Sequence, residues 1–326
     1  MHTSFCCRRR AAIVWLLGVL GFLVASSSHA SVLLNDSFAD GNRSNTNLPT
    51  DSAVWIGQSA GNGSNSVSPG ALSFVLPTNS LKVWTYFTSD LSAPDGNQPH
   101  NSVTMIGVGD TMTASMSFRP SGVTSTSTGK NFRLGIFFDP TDARVQADVN
   151  SDGGGGTSPW TDATGYAVQL PLNSSTTNSN PMLIEKRTTS NSSLLGASGA
   201  YTAAPTGGQA YSITSGSDYT LRLTLNVVSA SQLDVTATLL QGVTTISTQT
   251  VSDLGTSFGG TAIGAGLLPG SQSIYTKFDQ LFFRDSDNTQ STGLDITNFH
   301  VDVTSVPEPA SVFVLALAGL ALVRRR

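Results

Sequence analysis

The sequence predicts an all-β protein folded as an antiparallel β-sandwich, and three observations lead to this prediction. Apolar and polar residues alternate in several segments, turn-rich stretches separate these segments, and no stretch between the two ends has helical periodicity. Alternation with a period of two is typical of a strand that buries one face. Two antiparallel sheets packed against each other bury such faces together.

The alternating segments give about 12 to 14 predicted strands. In the last of them, the spacing places Ile296 on the face opposite Phe299, Val301 and Val303. Stretches such as SAGNGSNSVSPG and NSDGGGGTSP are predicted turns or loops. The other predicted core faces are Met112, Ala114, Met116 and Phe118; Phe132, Leu134, Ile136 and Phe138; Tyr219, Leu221, Leu223, Leu225 and Val227; and Leu233, Val235, Ala237 and Leu239.

The beginning of the chain has the pattern of an export signal. Three arginines at positions 8–10 precede an apolar stretch over 11–25, and Ser28 and Ala30 stand where a cleavage site needs small residues. The apolar stretch is shorter than the roughly 18 residues of a membrane span. We therefore expect residues 1–30 to be a helical signal peptide for the Sec pathway, and the mature chain to begin near Ser31.

The composition of the remaining domain, residues 31–305, limits its chemistry. Both cysteines, Cys6 and Cys7, lie in the predicted signal, so the domain has no disulfide, thiolate nucleophile or cysteine metal site. It keeps 11 Lys and Arg against 20 Asp and Glu, a net charge of about −9, compared with −4 for the whole chain. This negative charge argues against nucleic acid and anionic membranes as partners.

The end of the chain, residues 306–326, combines three elements in order. Pro307, Glu308 and Pro309 come first, an apolar run of 14 residues follows, and three arginines at 324–326 close the chain. As a helix the apolar run covers roughly 21 Å, less than the about 30 Å of a hydrocarbon core. The arginines remain cytoplasmic by the positive-inside rule. The sequence thus predicts a transmembrane helix that holds the exported protein at the inner membrane transiently.

This tail resembles the PEP-CTERM sorting signal of Gram-negative bacteria. The resemblance implies that an exosortase recognises Pro307, Glu308 and Pro309 and removes the tail, with the basic cluster Arg324, Arg325 and Arg326 as the membrane stop. It also implies delivery to the cell surface or to the extracellular polysaccharide matrix of a biofilm. The alternative is an ordinary tail anchor. The signal indicates a destination and not an activity.

The domain itself is similar to the concanavalin A-like jelly roll of lectins and laminin G modules. The matching features are Asp36, Phe38 and Gly41 near its start, the isolated Trp55, and the segment FDQLFFR at 278–284. The resemblance implies one jelly-roll sandwich over most of residues 31–305.

Candidate catalytic residues are few. The domain contains two histidines, His100 and His300, and no G-x-S-x-G elbow, which argues against a serine hydrolase. Hydrolases of the concanavalin A-like fold take two glutamates from an E-x-D-x-E pattern, but Glu185 is the single glutamate here. We therefore predict a protein that is not an enzyme. The alternative is an aspartate-based glycosidase or lyase that acts on exopolysaccharide.

Four residues are predicted to bind a carbohydrate ligand. In PMLIEKR, Glu185 shares a strand face with Leu183 and Arg187, opposite Ile184 and Lys186, and Arg133 lies on another strand. An Arg–Glu pair on a concave sheet binds sugar hydroxyls through charge-assisted hydrogen bonds. The alternative is an ordinary solvated sheet face.

Aromatic side chains supply the other two candidates, because the C–H faces of sugars pack on rings. Trp55 and Trp84 alternate with apolar residues and are predicted core residues. Trp160 follows a glycine-rich loop, where packing does not readily explain a tryptophan, and Tyr166 comes soon after it. Trp160 and Tyr166 are therefore predicted ligand contacts.

One loop is a candidate for structural calcium. Asp148, Asn150 and Asp152 occupy alternate positions before Gly153, as at the start of a D-x-[DN]-x-[DN]-G calcium loop. The twelfth loop position is Pro159 and not the usual bidentate glutamate, so a polar turn remains the other interpretation. No other cofactor is predicted. The sequence thus indicates an exported structural or adhesive protein, with extracellular polysaccharide as the candidate ligand. The alternative to a binding protein is a matrix scaffold without a ligand.

Overall fold

The computed structural model of the chain describes residues 29–43, 56–57, 65–76, 81–88, 102–125, 129–140, 160–175, 179–195, 198–265, 267–285 and 290–306. These ranges contain nineteen strands and one turn of 3₁₀ helix, Ser198–Ala200. Five strands are two residues long, and the fourteen longer strands agree with the number predicted from alternation. The strands are β1 (His29–Asp36), β2 (Ile56–Gly57), β3 (Asn65–Ser68), β4 (Ala71–Val75), β5 (Leu81–Tyr86), β6 (Val103–Thr104), β7 (Thr111–Ser121), β8 (Phe132–Phe138), β9 (Thr164–Leu170), β10 (Leu183–Arg187), β11 (Tyr201–Ala203), β12 (Tyr219–Ser229), β13 (Gln232–Gln241), β14 (Thr244–Asp253), β15 (Ser257–Phe258), β16 (Thr261–Ala262), β17 (Lys277–Phe278), β18 (Gln280–Asp285) and β19 (Gly293–Ser305).

Two antiparallel sheets contain all of these strands except β6 and β17, which pair with each other. The ten-stranded sheet has the order β16-β15-β14-β13-β12-β7-β19-β4-β3, and β1 pairs with β19 on the same edge as β4. The seven-stranded sheet has the order β11-β10-β9-β8-β18-β5-β2. The predicted fold class, an antiparallel β-sandwich, is therefore confirmed.

The main core fills the space between the two sheets. Phe118 of the ten-stranded sheet contacts Phe132 of the seven-stranded sheet, with ring centroids 4.7 Å apart, and Phe74 contacts Phe283 at 6.3 Å. The predicted faces of β7, β12 and β13 are all buried in this core. On β8 the residues Phe132, Leu134 and Ile136 are buried as predicted, whereas Phe138 is only half-buried.

One predicted face is wrong because of a β-bulge in β19. The pairing register between β19 and β7 shifts between Ile296 and Asn298. A bulge adds one unpaired residue and so reverses the alternation beyond it. Ile296 consequently lies in the same core as Phe299, Val301 and Val303, and not on the opposite face.

The two ends of the described domain lie side by side. His29 pairs in register with Ser305, so β1 begins two residues before Ser31, the predicted start of the mature chain. The backbone N–H of Val306 donates to Asp110 Oδ1 at 2.9 Å. The predicted signal helix, Pro307–Pro309, the transmembrane helix and Arg324–Arg326 lie outside the described residues. Within the described ranges, no helix has the length and apolar character needed to cross a membrane.

Candidate functional site

Three of the four predicted ligand-binding residues lie on the outer face of the seven-stranded sheet. Arg133 and Glu185 point away from the main core, because their neighbours Leu134 and Ile184 belong to that core. Trp160 packs on the same outer face. The structure thus brings together the charged pair and one of the aromatic candidates.

This outer face is not open to solvent, and we call it the covered face. It carries a second apolar cluster, separate from the main core, and part of that cluster comes from residues 188–195, which we call the strap. The members of the cluster are Trp84, Tyr86, Phe137, Trp160, Ala163, Ala167, Leu194, Leu195 and Phe282.

Three arginine side chains attach the strap to the sheet, and of these Arg187 is buried while Arg133 and Arg284 are half-buried. Arg133 Nη1 and Arg284 Nη1 both donate to the carbonyl oxygen of Leu195, the second at 2.6 Å. Arg187 Nη2 donates to the carbonyl oxygen of Asn191 at 2.6 Å. Leu195 itself has φ of 55°, a left-handed conformation that is strained for a leucine, and its N–H donates to Tyr201 Oη at 3.0 Å. The arginine donors therefore hold a strained backbone in place.

Glu185 is satisfied within the same face. Its carboxylate accepts a hydrogen bond from Gln169 Nε2. Burial raises the pKa of Glu185 above its usual value, although the Gln169 hydrogen bond and the charge of Arg133 oppose that rise. Burial likewise lowers the pKa of the Arg133 guanidinium, and Glu185 opposes that change. The Arg–Glu pair predicted to bind sugars is thus engaged inside the protein.

Packing accounts for Trp160, contrary to the expectation from its loop position. The indole ring is only 1% exposed. It meets Trp84 edge to face at a centroid distance of 5.0 Å and Phe282 at 5.7 Å, in the geometry that aromatic rings prefer. Trp160 is therefore a core residue of the covered face. Trp84 is buried as predicted, and Trp55 lies outside the described residues.

Tyr166 faces the other way, into the space between the sheets. Its hydroxyl donates to Asp253 Oδ2 at 2.5 Å, and it accepts from the N–H of Tyr275 at 2.9 Å. The ring is fully buried. Burial, together with the charge of Asp253, raises the pKa of Tyr166 well above its usual value, so the hydroxyl stays a donor.

Asp253 also forms an ion pair that links the two sheets. Lys186 Nζ on β10 lies 2.7 Å from Asp253 Oδ2 at the end of β14, and neither side chain is exposed. Lys186 Nζ also donates to the carbonyl oxygen of Ser273 at 2.7 Å and lies 4.6 Å from the centroid of the Tyr275 ring. Alternation places Lys186 on the same face as Ile184, but no local sequence pattern indicates that Asp253 is its partner.

The outer face of the ten-stranded sheet differs from the covered face, because hydroxyl side chains form rows across it. Thr250, Thr236, Thr224 and Thr113 are successive cross-strand neighbours on β14, β13, β12 and β7. Four pairs bond across strands: Thr236–Thr250 at 2.9 Å, Thr238–Thr248 at 3.2 Å, Thr113–Thr224 at 3.4 Å and Ser117–Thr220 at 3.0 Å. We call these eight residues the hydroxyl face.

The predicted calcium ligands Asp148, Asn150 and Asp152 lie outside the described residues, so their prediction stands as made. In the part of the chain that the structure describes, no three side chains of His, Cys, Asp or Glu come together in a way that could hold a metal ion.

Comparisons with known proteins identify no family. No protein-family model matches the sequence, and no curated protein matches it. Among solved structures, the exoplasmic/lumenal domain of VIP36 in its Ca²⁺- and mannose-bound form has a TM-score of 0.42 at 12% identity, covering 86% of this chain and 99% of that domain. Peanut lectin has a TM-score of 0.41 at 14% identity, with coverages of 86% and 99%. Winged bean acidic lectin has a TM-score of 0.41 at 10% identity, with coverages of 86% and 100%. Likenesses at this level assign neither a family nor a ligand.

Proposed function

We propose that this chain is an exported, non-enzymatic surface or matrix protein that binds extended, neutral polysaccharide through its hydroxyl face. The observation that carries this proposal is the row of threonines in register across four neighbouring strands, Thr250, Thr236, Thr224 and Thr113. By contrast, Glu185 and Arg133 are engaged in contacts inside the fold.

The spacing of the rows suits a repeating polymer. Neighbouring strands lie about 4.8 Å apart, and alternate residues along a strand lie about 6.8 Å apart. The hydroxyl face therefore presents hydroxyl groups on a regular two-dimensional grid. A polysaccharide chain also presents hydroxyls at regular intervals, so one set of contacts repeats along its length.

The hydroxyl pairs retain bonding capacity and are already ordered. Each threonine hydroxyl has one donor and two acceptor sites, so a pair that shares one hydrogen, such as Thr236–Thr250, still has a donor and several acceptors for a ligand. In the Thr238–Thr248 pair, Thr248 Oγ1 also donates to the carbonyl oxygen of Ala237 at 3.1 Å, so this pair offers acceptors. Threonine is branched at Cβ and loses little rotamer freedom on binding. A surface ordered before the ligand arrives loses less entropy when it binds.

The charges beside the hydroxyl face favour a neutral ligand. Arg222, which is exposed, lies next to Thr238 and Ser115 in the register. On β19, His300 Nε2 lies 3.3 Å from Asp302 Oδ2, and both side chains are about one-third exposed. Since basic and acidic groups both border the face, it presents no strong field of one sign to a charged polymer.

The sorting step that we propose rests on the sequence of residues 306–326. The backbone N–H of Val306, the last described residue, donates a hydrogen bond to Asp110, and Pro307 follows Val306 directly in the sequence. This arrangement supports a folded domain that ends where the sorting sequence begins. We propose that an exosortase removes the tail at the inner membrane after Sec export, and that the domain then reaches the cell surface or the matrix.

Binding to insoluble polysaccharides tests the ligand. We expect the protein to be retained on a neutral polymer, with cellulose, chitin and agarose as probes, and not on anionic alginate. A fourfold valine variant with the substitutions Thr113→Val, Thr224→Val, Thr236→Val and Thr250→Val removes four hydroxyls and keeps the β-branched side-chain shape. Because each net hydrogen bond contributes about 0.5–1.5 kcal/mol, we expect affinity to fall tenfold or more.

The matched control for this experiment is Thr244→Val, on an exposed threonine at the end of the β13–β14 hairpin, outside the hydroxyl face. Its affinity should equal that of the wild type. The proposed ligand is wrong if the wild type binds none of the neutral polymers, or if the fourfold valine variant binds as tightly as the wild type does.

Mass spectrometry of protein recovered from the cell surface or the medium tests the sorting step. We expect a mature form that ends between Pro307 and Ala310. Alanine at 307, 308 and 309 should leave uncleaved protein in the inner membrane, because the apolar run remains while the recognition sequence is gone. Surface protein that still carries Arg324–Arg326 would instead identify an ordinary tail anchor.

A further inference from the structure

A buried ion pair, Lys186–Asp253, links the two sheets of this domain. Exported domains commonly use disulfides as covalent links, but both cysteines of this chain lie at positions 6 and 7. The Lys186–Asp253 pair instead connects β10 of the seven-stranded sheet to β14 of the ten-stranded sheet. Its amine and carboxylate are in contact at 2.7 Å with both side chains fully buried.

We propose that Lys186 and Asp253 react with each other to form an intramolecular isopeptide bond, an amide between Lys186 Nζ and Asp253 Cγ. The product is a covalent cross-link between the two sheets. The reaction requires only these two side chains and goes beyond the function proposed above.

The step balances without any other reactant. Transfer of one proton from the ammonium to the carboxylate gives a neutral amine and a neutral carboxylic acid. The amine nitrogen then attacks Cγ, the new N–C bond forms, and the C–Oδ2 bond breaks. Oδ2 leaves as water, with the proton that it gained and a second proton from nitrogen. The sum is one ammonium and one carboxylate converted into one amide and one water.

Groups around Asp253 are placed to assist this chemistry. The N–H of Gly255 donates to Oδ1 at 2.8 Å, where negative charge develops as the tetrahedral intermediate forms. Tyr166 Oη donates to Oδ2, the oxygen that leaves. The Ser273 carbonyl accepts from Lys186 Nζ and fixes the position of the amine. Reacting groups held in contact in this way gain the rate advantage of proximity.

Burial also favours the neutral forms that react. Removal from water lowers the pKa of Lys186 and raises the pKa of Asp253, although each charge opposes the shift of the other. A desolvated lysine amine is a common way to make this weak nucleophile reactive. An ion pair in an apolar interior has a large desolvation cost, and amide formation removes both charges.

Peptide mass spectrometry tests the proposal on protein purified from cells that produce the full chain. Trypsin cleaves after Lys and Arg, but an amide at Lys186 blocks cleavage there. After denaturation and digestion, we expect residues 145–187 linked to residues 223–277, with a mass one water below the sum of the two peptides. Unlinked peptides 145–186 and 223–277 from folded wild-type protein would overturn the proposal.

Two variants separate the reaction from the ion pair. Lys186→Arg keeps the positive charge opposite Asp253 and should give no linked peptides. Asp253→Asn should give linked peptides of the same mass as the wild type, because ammonia leaves in place of water. Linked peptides from Lys186→Arg, or a wild-type link that maps to a different residue from Asp253, would contradict the assignment.

Discussion

The two outer faces of the sandwich have opposite characters, although alternation defines both of them in the same way. The face of the ten-stranded sheet carries short hydroxyl side chains that bond to one another across strands, as Thr236 does to Thr250. The face of the seven-stranded sheet carries Arg133, Glu185 and Trp84, and the strap buries it. An outward direction on a strand therefore does not make a residue accessible, because another segment of the chain can cover that face of the sheet.

The largest expected difference between the two faces is in stability. Trp160→Ala removes a ring buried against Trp84 and Phe282, and such truncations cost about 3–5 kcal/mol in the free energy of unfolding. Thr250→Ala on the exposed face should cost about 0.5 kcal/mol or less. Urea unfolding monitored by circular dichroism measures both. Similar costs for the two variants would remove the distinction between a covered face and an open one.

A smaller effect is expected in the pH dependence of the covered face. Because burial raises the pKa of Glu185, the folded state binds its proton more tightly than the unfolded state does. The contribution of Glu185 to the free energy of unfolding therefore falls as the pH rises from the ordinary glutamate pKa of about 4.3 to the raised pKa of the folded state. Glu185→Gln removes this titration. The free energy of unfolding of the variant, measured by urea unfolding at several pH values, should therefore fall less steeply than that of the wild type over that range.

The control for the pH experiment is Asp218→Asn, which changes an exposed carboxylate paired with Arg119. Exposed ion pairs contribute little, so the stability profile of this variant should follow the wild type. A Glu185→Gln profile as steep as the wild type would show that the carboxylate on the covered face is not responsible for the slope.

The smallest expected effect is that of the hydroxyl face on stability. The double change Thr236→Val and Thr250→Val removes one hydrogen-bonded pair but keeps two strand-forming side chains, so the free energy of unfolding should change by about 0.5 kcal/mol or less. Thermal and urea unfolding both measure this change. A loss above about 2 kcal/mol, larger than one ordinary net hydrogen bond, would mean that the hydroxyls hold the sheet together and do not chiefly serve a ligand.

Alternation was sufficient to predict most of the fold. The buried faces of β7, β12 and β13 are as predicted, because apolar residues at every second position have one stable location, the space between two sheets. The face of Ile296 was predicted wrongly because a bulge inserts one residue into the pairing, and nothing in the local sequence marks that insertion.

The site was less predictable than the fold, because its character depends on segments distant in the chain. Arg133 and Glu185 lie on strands as predicted, but Arg133 bonds to the strap and Glu185 to Gln169, and both contacts depend on tertiary structure. The glycine-rich loop before Trp160 predicts a ligand contact for this residue. Its actual partners, Trp84 and Phe282, come from strands far away in sequence. The Lys186–Asp253 pair likewise joins residues whose proximity no local pattern indicates.

The position of β19 has a consequence for the order in which the domain is assembled. Among the described residues it is the last strand, and within them β7 on one side and β4 and β1 on the other are joined only through it. Until β19 is available, the described strands of the ten-stranded sheet therefore form three unconnected parts: β1, the β3–β4 pair, and the six strands from β7 to β16. The sheet is completed only when β19 is available, through contacts between strands far apart in sequence, such as β1 and β19, which form slowly. Until β19 is in place, β7 and β4 therefore each present an unpaired edge on the side where β19 belongs.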